Sequence, residues 1–351
     1  MEKSNEKLTE SNEKLTEIEV DPRIKGDWSV MGTWNNFLTF LQNERELKER
    51  DYIWATEIGR GTYERWLKMT ATPPDKGYTE RVLRKFSAGD IFERLIGFFL
   101  CVNGLLKLDN EHIEIPETEN MLKVTGKLDF LAGGKPKSWE EIEIDPFASL
   151  FFEFFPSFKE IARQLNRLVL EKYPNGLKPL IYEIKSINSQ IFWAKKDYLP
   201  DAYFHHRLQL YTYLRQRNMP EGRVLYISKD DLCLAEFPVY LDDQKMKDAW
   251  EKDVLDMTKI YRDWIDKGIE PEKPPMIIFD ERKKIKFQFE KKGYEIKGCW
   301  KSNWEISWSN YITKMGFKDV DDYERKANPL CKEKNDEIKE KYKIANNLVK
   351  K

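Results

Sequence analysis

Cysteine and histidine are scarce in this chain, and their spacing excludes the usual transition-metal sites. The 351 residues include only four cysteines and three histidines. The cysteines stand apart at positions 101, 233, 299 and 331, with no CxxC pair and no histidine near any of them. Zinc and iron–sulfur sites normally show closely spaced ligands. We therefore interpret the cysteines as free thiols in a reducing compartment.

Long apolar segments are also missing. The longest such run, residues 95–106, is interrupted by Gly97 and Asn103, whereas a bilayer-spanning helix needs ~20 apolar residues. The first twenty residues are rich in Glu, Ser, Asn and Lys and contain no apolar segment of the signal-peptide kind. The sequence therefore predicts a cytoplasmic protein with no membrane partner.

Neither sign of charge dominates. Sixty Lys and Arg residues face 61 Asp and Glu residues, which gives a formal net charge of -1. This total excludes a general DNA-coating protein, whose surface would be strongly basic. The average conceals a lysine-rich stretch at residues 283–301 and acidic stretches in the N-terminal tail and at the start of residues 139–178. Because 13% of the residues are aromatic, we expect a sizeable folded core.

The pattern along the chain predicts an α/β core with appendages. Residues 1–25, which repeat the heptad SNEKLTE, form a predicted solvated tail, because one Leu per heptad cannot build a coiled-coil seam. The core is predicted over residues 26–269, with an aromatic helical insertion at 139–178, and residues 270–351 form a Lys-rich extension. Apolar periodicity predicts helices over residues 31–50, 63–69, 88–106, 202–217 and 242–267. Strands are predicted over residues 123–131 (entering a hairpin at Gly133 and Gly134), 180–186, 223–228 and 234–240, the last broken at Pro238. Helices flanking a small mixed sheet indicate the α/β class.

Charged side chains occupy three positions in these elements that folding alone does not explain. Glu93 shares a helix face with Ile96, Gly97 and Leu100. A carboxylate there is costly without a metal or lysine partner, unless it lies at the helix start, where the helix dipole favours an acid. Asp129 ends the strand at residues 124–129, and an ordinary exposed strand-end Asp is the alternative.

Glu183 and Lys185 are the third case. They are separated by one residue, so both leave the same face of the strand at residues 180–186, as they also would in a solvent-facing strand. Three carboxylates on a helix and two strands can converge into an oxygen-rich site that suits Mg²⁺. A bound metal would lower the pKa of its water and neutralise a phosphodiester oxygen, while a nearby lysine could stabilise developing charge. Such a site hydrolyses phosphodiesters.

Four segments in order resemble the PD-(D/E)xK nucleases, and within them the RecB-like branch of CRISPR-associated exonucleases from microbes and viruses. They are Gly89-Asp90-Ile91-Phe92-Glu93, Gly126-Lys127-Leu128-Asp129, Glu183-Ile184-Lys185 and Gln209-Leu210-Tyr211-Thr212-Tyr213. The resemblance covers roughly residues 30–245, and it implies a restriction-endonuclease-like core.

The resemblance also implies a set of roles. Glu93, Asp129, Glu183 and the carbonyl of Ile184 would bind Mg²⁺, with Mn²⁺ as a substitute, and Lys185 would be the catalytic lysine. The side chains four apart on the last helix, Gln209 and Tyr213, would brace the site or touch DNA. The expected activity is a DNA exonuclease that leaves a 5′-phosphate and a 3′-hydroxyl in DNA repair or recombination. Its location would be the cytoplasm of a microbe or a virus-infected host cell, and its possible partners are a second copy, a helicase or a recombination protein.

Two departures from the family pattern are visible. The insertion at 139–178 separates Asp129 from Glu183 widely and supplies a rival acid in Asp145, which we reject because it precedes a helical stretch. Relatives often carry an iron–sulfur cluster, but the late region here has Trp300, Trp304 and Trp308 in place of clustered cysteines, so no cluster is expected. The tryptophan stripe predicts core packing or, alternatively, base stacking.

The residue pattern is compatible with more than one activity. An endonuclease acting on branched or single-stranded DNA, a catalytically inactive DNA- or protein-binding module, and a coincidental Glu-x-Lys each fit part of it. His205 lies four residues before Gln209 and faces either the site or the helix surface. The insertion is either packed on the core or placed as a lid.

Overall fold

The computed structural model describes residues 30–43, 48–72, 78, 80–189, 199 and 201–271, together with the backbone of three strands between residues 276 and 295. The predicted tail (1–25), the tryptophan stripe, Cys299, Cys331 and residues 296–351 lie outside the described residues. The helices are α1 (Val30–Asn43), α2 (Thr62–Met69), α3 (Glu80–Val102), α4 (Trp139–Glu143), α5 (Pro146–Phe154), α6 (Phe158–Lys172), α7 (Phe204–Arg217) and α8 (Gln244–Lys267). The strands are β1 (Ile53–Trp54), β2 (Leu106–Ile115), β3 (Val124–Gly134), β4 (Leu177–Ile187), β5 (Glu221–Ser228), β6 (Leu234–Tyr240), β7 (Met276–Glu281), β8 (Lys284–Lys291) and β9 (Tyr294–Glu295).

A mixed six-stranded sheet lies at the centre of the fold, in the order β1-β3-β4-β5-β6 with β2 also paired to β3. The β1–β3 and β4–β5 pairs are parallel, and the β2–β3, β3–β4 and β5–β6 pairs are antiparallel. Strands β7, β8 and β9 form a separate three-stranded antiparallel arrangement within the predicted Lys-rich extension. The α/β class predicted from the sequence is confirmed.

Helices cover both faces of the large sheet, and alternate residues of the central strands divide between them. Ile181 and Ile187 of β4 pack into a cluster with residues of α2, α7 and α8. Ile184 of the same strand packs into a second cluster with residues of α3 to α6. Because side chains alternate along a strand, Glu183 and Lys185 lie on the α7 face.

Several predicted boundaries were wrong. Helix α3 begins at Glu80, well before the predicted start at residue 88. Strand β2 was not predicted, because its polar composition lacks a regular alternation. Strand β3 continues to Gly134, so it does not enter a hairpin there, and its partner β4 follows three helices later.

Pro238 does not break β6, contrary to the sequence prediction. The strand is continuous from Leu234 to Tyr240. Among the described strands it pairs only with β5, so it is the edge strand of this sheet, where a missing backbone N–H costs little.

The insertion both packs on the core and presents aromatic side chains to solvent. Phe152 is buried, and the Phe151 ring stacks on Phe98 of α3 with centroids 3.4 Å apart. Phe154 and Phe158 are exposed. One face of the insertion therefore packs on the core, and its other face is exposed.

Candidate nuclease site at a gap in the sheet

The candidate site lies where one edge of β3 loses its strand partner. Strand β2 pairs along the other edge of β3, from Val124 to Ala132. On the site edge, the pairing in the described part of the chain stops at two places: β1 pairs with Val124 and Thr125, and β4 pairs from Phe130 onward. Residues 126–129 therefore face a gap between β1 and β4, and this gap frees backbone groups for side chains to bind.

Asp129 closes part of the gap. The β3–β4 ladder ends at the Phe130–Tyr182 pair. Beyond it, the backbone N–H of Ile184 donates a 2.6 Å hydrogen bond to Asp129 Oδ2. Asp129 is thus an interior residue of β3 that replaces a ladder bond, and the alternative of an exposed strand-end Asp is wrong. The predicted metal-binding role of the Ile184 carbonyl stays a prediction.

Glu183 and Lys185 meet on the α7 side of β4. The Lys185 ammonium contacts Glu183 Oε1. Glu183 is fully buried, whereas the Lys185 side chain is 26% exposed. Within the described residues, Glu183 Oε2 has no hydrogen-bond partner. This pair is not a solvent-facing strand pattern, because one member has no access to water.

Glu93 lies in the middle of α3 and not at the helix start, where the helix dipole would favour an acid. The helix starts thirteen residues earlier, at Glu80, so the dipole at its N-terminus does not explain the acid. Gly89, four residues before Glu93, packs on the Ser186 side chain, and Gly97, four residues after it, packs on the Phe130 ring. These contacts place the Glu93 position over the β3–β4 junction.

The three acids and Lys185 share one electrostatic environment. Burial and the nearby Asp129 raise the pKa of Glu93 to about 7. Burial and the Glu183 carboxylate raise the pKa of Asp129 to about 7. Burial also raises the pKa of Glu183, although Lys185 opposes the shift. Burial alone would lower the pKa of Lys185, but Glu183 and Asp129 raise it above its ordinary value. The site therefore holds protons that a bound cation would displace.

Gln209 and Tyr213 brace the gap from α7. Both side chains are buried, and Gln209 Nε2 donates a 2.9 Å hydrogen bond to the Tyr213 hydroxyl. Burial raises the pKa of this hydroxyl well above its ordinary value, and the backbone of Lys127, one of the β3 residues that face the gap, partly opposes the shift. Gly126 admits the ring, because a Cβ there would lie 3.0 Å from a Tyr213 ring carbon. In this placement the pair supports β3 and is too buried to touch DNA.

The donor set suits a hard divalent cation, but its present placement is not a finished metal site. Carboxylate oxygens are the ligands that Mg²⁺ prefers, and Glu183 offers a buried oxygen that has no hydrogen-bond partner among the described residues. However, the described residues contain no group of three or more His, Cys, Asp and Glu side chains placed to hold one metal ion. Asp129 accepts a hydrogen bond from the Ile184 N–H, and Glu183 forms an ion pair with Lys185. Joint binding of one ion by Glu93, Asp129 and Glu183 stays a prediction.

The rival acid Asp145 has a structural role instead. Its side chain accepts from the Phe147 N–H and caps the N-terminus of α5. Lys137 Nζ lies 3.0 Å from its second oxygen. Asp145 therefore has local partners that account for it fully.

Beside Lys185 lies a basic group, of which sequence reasoning considered His205 but missed Arg60. It consists of Arg60 in the loop before α2 and His205 and His206 in the first turn of α7. The charges of Arg60 and Lys185 help to lower the pKa of both histidines, after burial as the larger cause. His205 and His206 are half-buried, so His205 does not lie on a fully exposed face of α7, and its role at the site stays a prediction. A lone arginine between two glycines carries no sequence signal, whereas the adjacent histidines could have suggested this location.

Comparisons with known proteins leave the function to the site itself. No family model matches the chain, and no curated protein matches it. A solved crystal structure of a protein named SSO0001 is similar at 16% identity and a TM-score of 0.38, and the match covers 67% of this chain and 87% of that one. Among the described residues, no helix has both the length and the apolarity needed to cross a membrane.

Proposed function

We propose that the protein is a metal-dependent deoxyribonuclease. The observation that supports this most directly is the gap between β1 and β4. There the Asp129 carboxylate accepts a hydrogen bond from the Ile184 N–H, and the buried Glu183 forms an ion pair with the part-exposed Lys185. A fold gains nothing from burying a carboxylate oxygen without a partner, and groups with shifted pKa values cluster at functional sites. The positive charges of Lys185 and the nearby Arg60 suit a polyanionic substrate.

In this proposal each residue has a distinct task. Glu183, Asp129 and Glu93 would hold Mg²⁺ or Mn²⁺, which supplies an activated water and neutralises charge on the phosphodiester. Glu93 and Asp129 would lose their protons to solvent on binding the cation. Lys185, once separated from Glu183, would donate to the phosphate or orient the attacking water. Gln209 and Tyr213 keep β3 in place.

The products and the mode of attack follow from the family resemblance. Hydrolysis would leave a 5′-phosphate and a 3′-hydroxyl. We propose exonucleolytic attack on linear ends, which makes circular DNA a resistant substrate. DNA is the only macromolecular partner that this proposal requires.

The test is cleavage of labelled DNA by the full-length protein. End-labelled linear duplex, single-stranded and circular DNA are incubated with Mg²⁺, Mn²⁺ or EDTA. The wild type should degrade linear DNA only with metal, and Lys185→Ala should lose at least ~100-fold in rate, as expected for removal of one stabilising charge. Lys252→Ala, an exposed lysine on α8, is the matched control and should keep full activity.

Each proposal fails on a different result. Absence of metal-dependent cleavage of every substrate refutes the nuclease. Cleavage of circular DNA refutes the exonuclease and leaves an endonuclease. Equal rates for Lys185→Ala and Lys252→Ala refute the assignment of the site.

A further inference from the structure

The basic group beside the carboxylates has a fixed architecture of its own. Lys185 of β4 is the register partner of Tyr226 of β5, and both side chains point to the α7 face. The Tyr226 hydroxyl lies 2.7 Å from His206 Nδ1. The rings of His205 and His206 have centroids 4.1 Å apart. The first turn of α7 therefore lies directly beside the catalytic candidate Lys185.

The loop that carries Arg60 is held against this turn. Gly59 has a φ of +80°, and a Cβ built on it would lie 2.9 Å from the Leu208 side chain and 3.4 Å from His205 Cα. The Gly59 N–H donates to Asp253 Oδ2, which also accepts from buried Arg65. The close approach and the anchor fix Arg60 next to His205.

The hydrogen bonds around Tyr226 determine which imidazole nitrogen of His206 carries the proton. The Tyr203 N–H donates to the Tyr226 oxygen. Among the described residues, the Tyr226 proton has no acceptor other than His206 Nδ1. His206 is neutral near pH 7, because burial first and His205 second lower its pKa. Its Nε2 is therefore an N–H donor that has no partner within the described residues.

We propose that Arg60, His205 and His206 form a phosphate-binding pocket that holds a phosphate of the DNA substrate next to the bond cut at Lys185. The pocket combines one charged guanidinium with neutral imidazole N–H donors. It can therefore bind an anion without placing further positive charges beside Lys185. The charges that act on His205 are the cations Arg60 and Lys185, whereas the acids Glu183 and Asp129 act on Lys185. The bound group is either the phosphate monoester at a DNA end or an internal phosphodiester. This inference rests on the proposed nuclease for its substrate class.

Binding without turnover tests the pocket separately from hydrolysis. A single-stranded oligonucleotide labelled at its 3′ end, with a 5′-phosphate or a 5′-hydroxyl, is titrated with full-length protein in EDTA, and inorganic phosphate is used as a competitor. Arg60→Gln and His205→Gln should each weaken binding on the order of tenfold, the loss of a charge-assisted or buried hydrogen bond. Arg60→Gln should also reduce the salt slope by about 0.7, the value for one phosphate contact on a single strand. Arg167→Gln is the matched control for charge, because its side chain is 81% exposed on α6.

Each outcome has a separate meaning. A 5′-phosphate preference that disappears in Arg60→Gln assigns the pocket to DNA ends, and equal loss for both oligonucleotides assigns it to internal phosphates. Arg60→Gln that binds like Arg167→Gln, or a wild type that binds neither oligonucleotide, overturns the pocket. Arg60→Lys is the control for misfolding. It keeps the positive charge, so it should retain part of the affinity that Arg60→Gln loses. If the wild type hydrolyses DNA and Arg60→Gln binds DNA as tightly as the wild type does, the pocket alone is refuted. If binding depends on Arg60 but no DNA is hydrolysed, the nuclease alone is refuted.

Discussion

Replacing Asp129 by asparagine should stabilise the fold while abolishing activity. The pKa of Asp129 is about 7 in the folded protein, against an ordinary value of 3.8. An acid whose folded pKa is raised releases its proton earlier in the unfolded chain, so stability falls as the pH rises between these two values. At ~1.4 kcal/mol per pKa unit, the charged Asp129 costs the fold at most about 4 kcal/mol above pH 7. Asparagine removes this charge and keeps an oxygen that can accept from the Ile184 N–H.

The expected gain depends on pH, and this dependence is the diagnostic result. Urea unfolding at pH 3, 5 and 8 should show Asp129→Asn equal to the wild type at pH 3, more stable at pH 5, and most stable at pH 8, by about 1–3 kcal/mol. The expected value is lower than the upper limit because the new amide group also needs a partner. Asp145→Asn is the control, since Asp145 is paired with Lys137 and caps α5, and it should show no gain at pH 8. A pH-independent difference, or destabilisation of Asp129→Asn at pH 8, would show that repulsion among the buried acids does not govern the site.

The other predictions concern the supports of the gap. Tyr213→Phe removes the oxygen that accepts from Gln209 and leaves a buried amide donor without its partner, so it should lower the free energy of unfolding by about 1–3 kcal/mol, whereas Tyr240→Phe at an exposed edge position should not. Gly97→Ala places a Cβ 2.7 Å from the Phe130 ring. Despite the better helix propensity of alanine, it should cost about 1–2 kcal/mol in urea unfolding. An unchanged Gly97→Ala would mean that α3 does not press on β3 beside Glu93.

The sequence predicted the elements of the site better than their arrangement. The strands around Asp129 and Glu183 and the helix that carries Gln209 are local patterns, and each was placed within a few residues. Glu93 was ambiguous because the start of α3 was predicted at residue 88, and only the true start at Glu80 removes the dipole explanation. The first turns of α3 carry Val82, Leu83 and Phe86 at helical spacing, so periodicity could have revealed the earlier start.

The gap itself could not be predicted, because it follows from strand register. It arises since β1 and β4 occupy the same edge of β3 and stop short of each other. Register between strands so distant in sequence depends on the packed faces of the whole sheet. The same limit applies to Arg60, whose position beside His205 depends on the contact of Gly59 with α7.

The gap also explains why one site can combine fold-stabilising and fold-destabilising residues. At its β4 side, the Asp129 carboxylate takes the place of a ladder acceptor for the Ile184 N–H. At its β1 side, the Tyr213 ring packs against Gly126, and its hydroxyl accepts from Gln209 of the same helix. A strand that completed the sheet here would satisfy the Ile184 N–H at less cost, but it would fill the gap beside Asp129. The side-chain substitutes keep β3 in register while leaving Lys185 part-exposed, and the cost appears as the raised pKa values of Asp129 and Glu93. Variants that relieve this cost without filling the gap should therefore gain stability at the expense of cation binding.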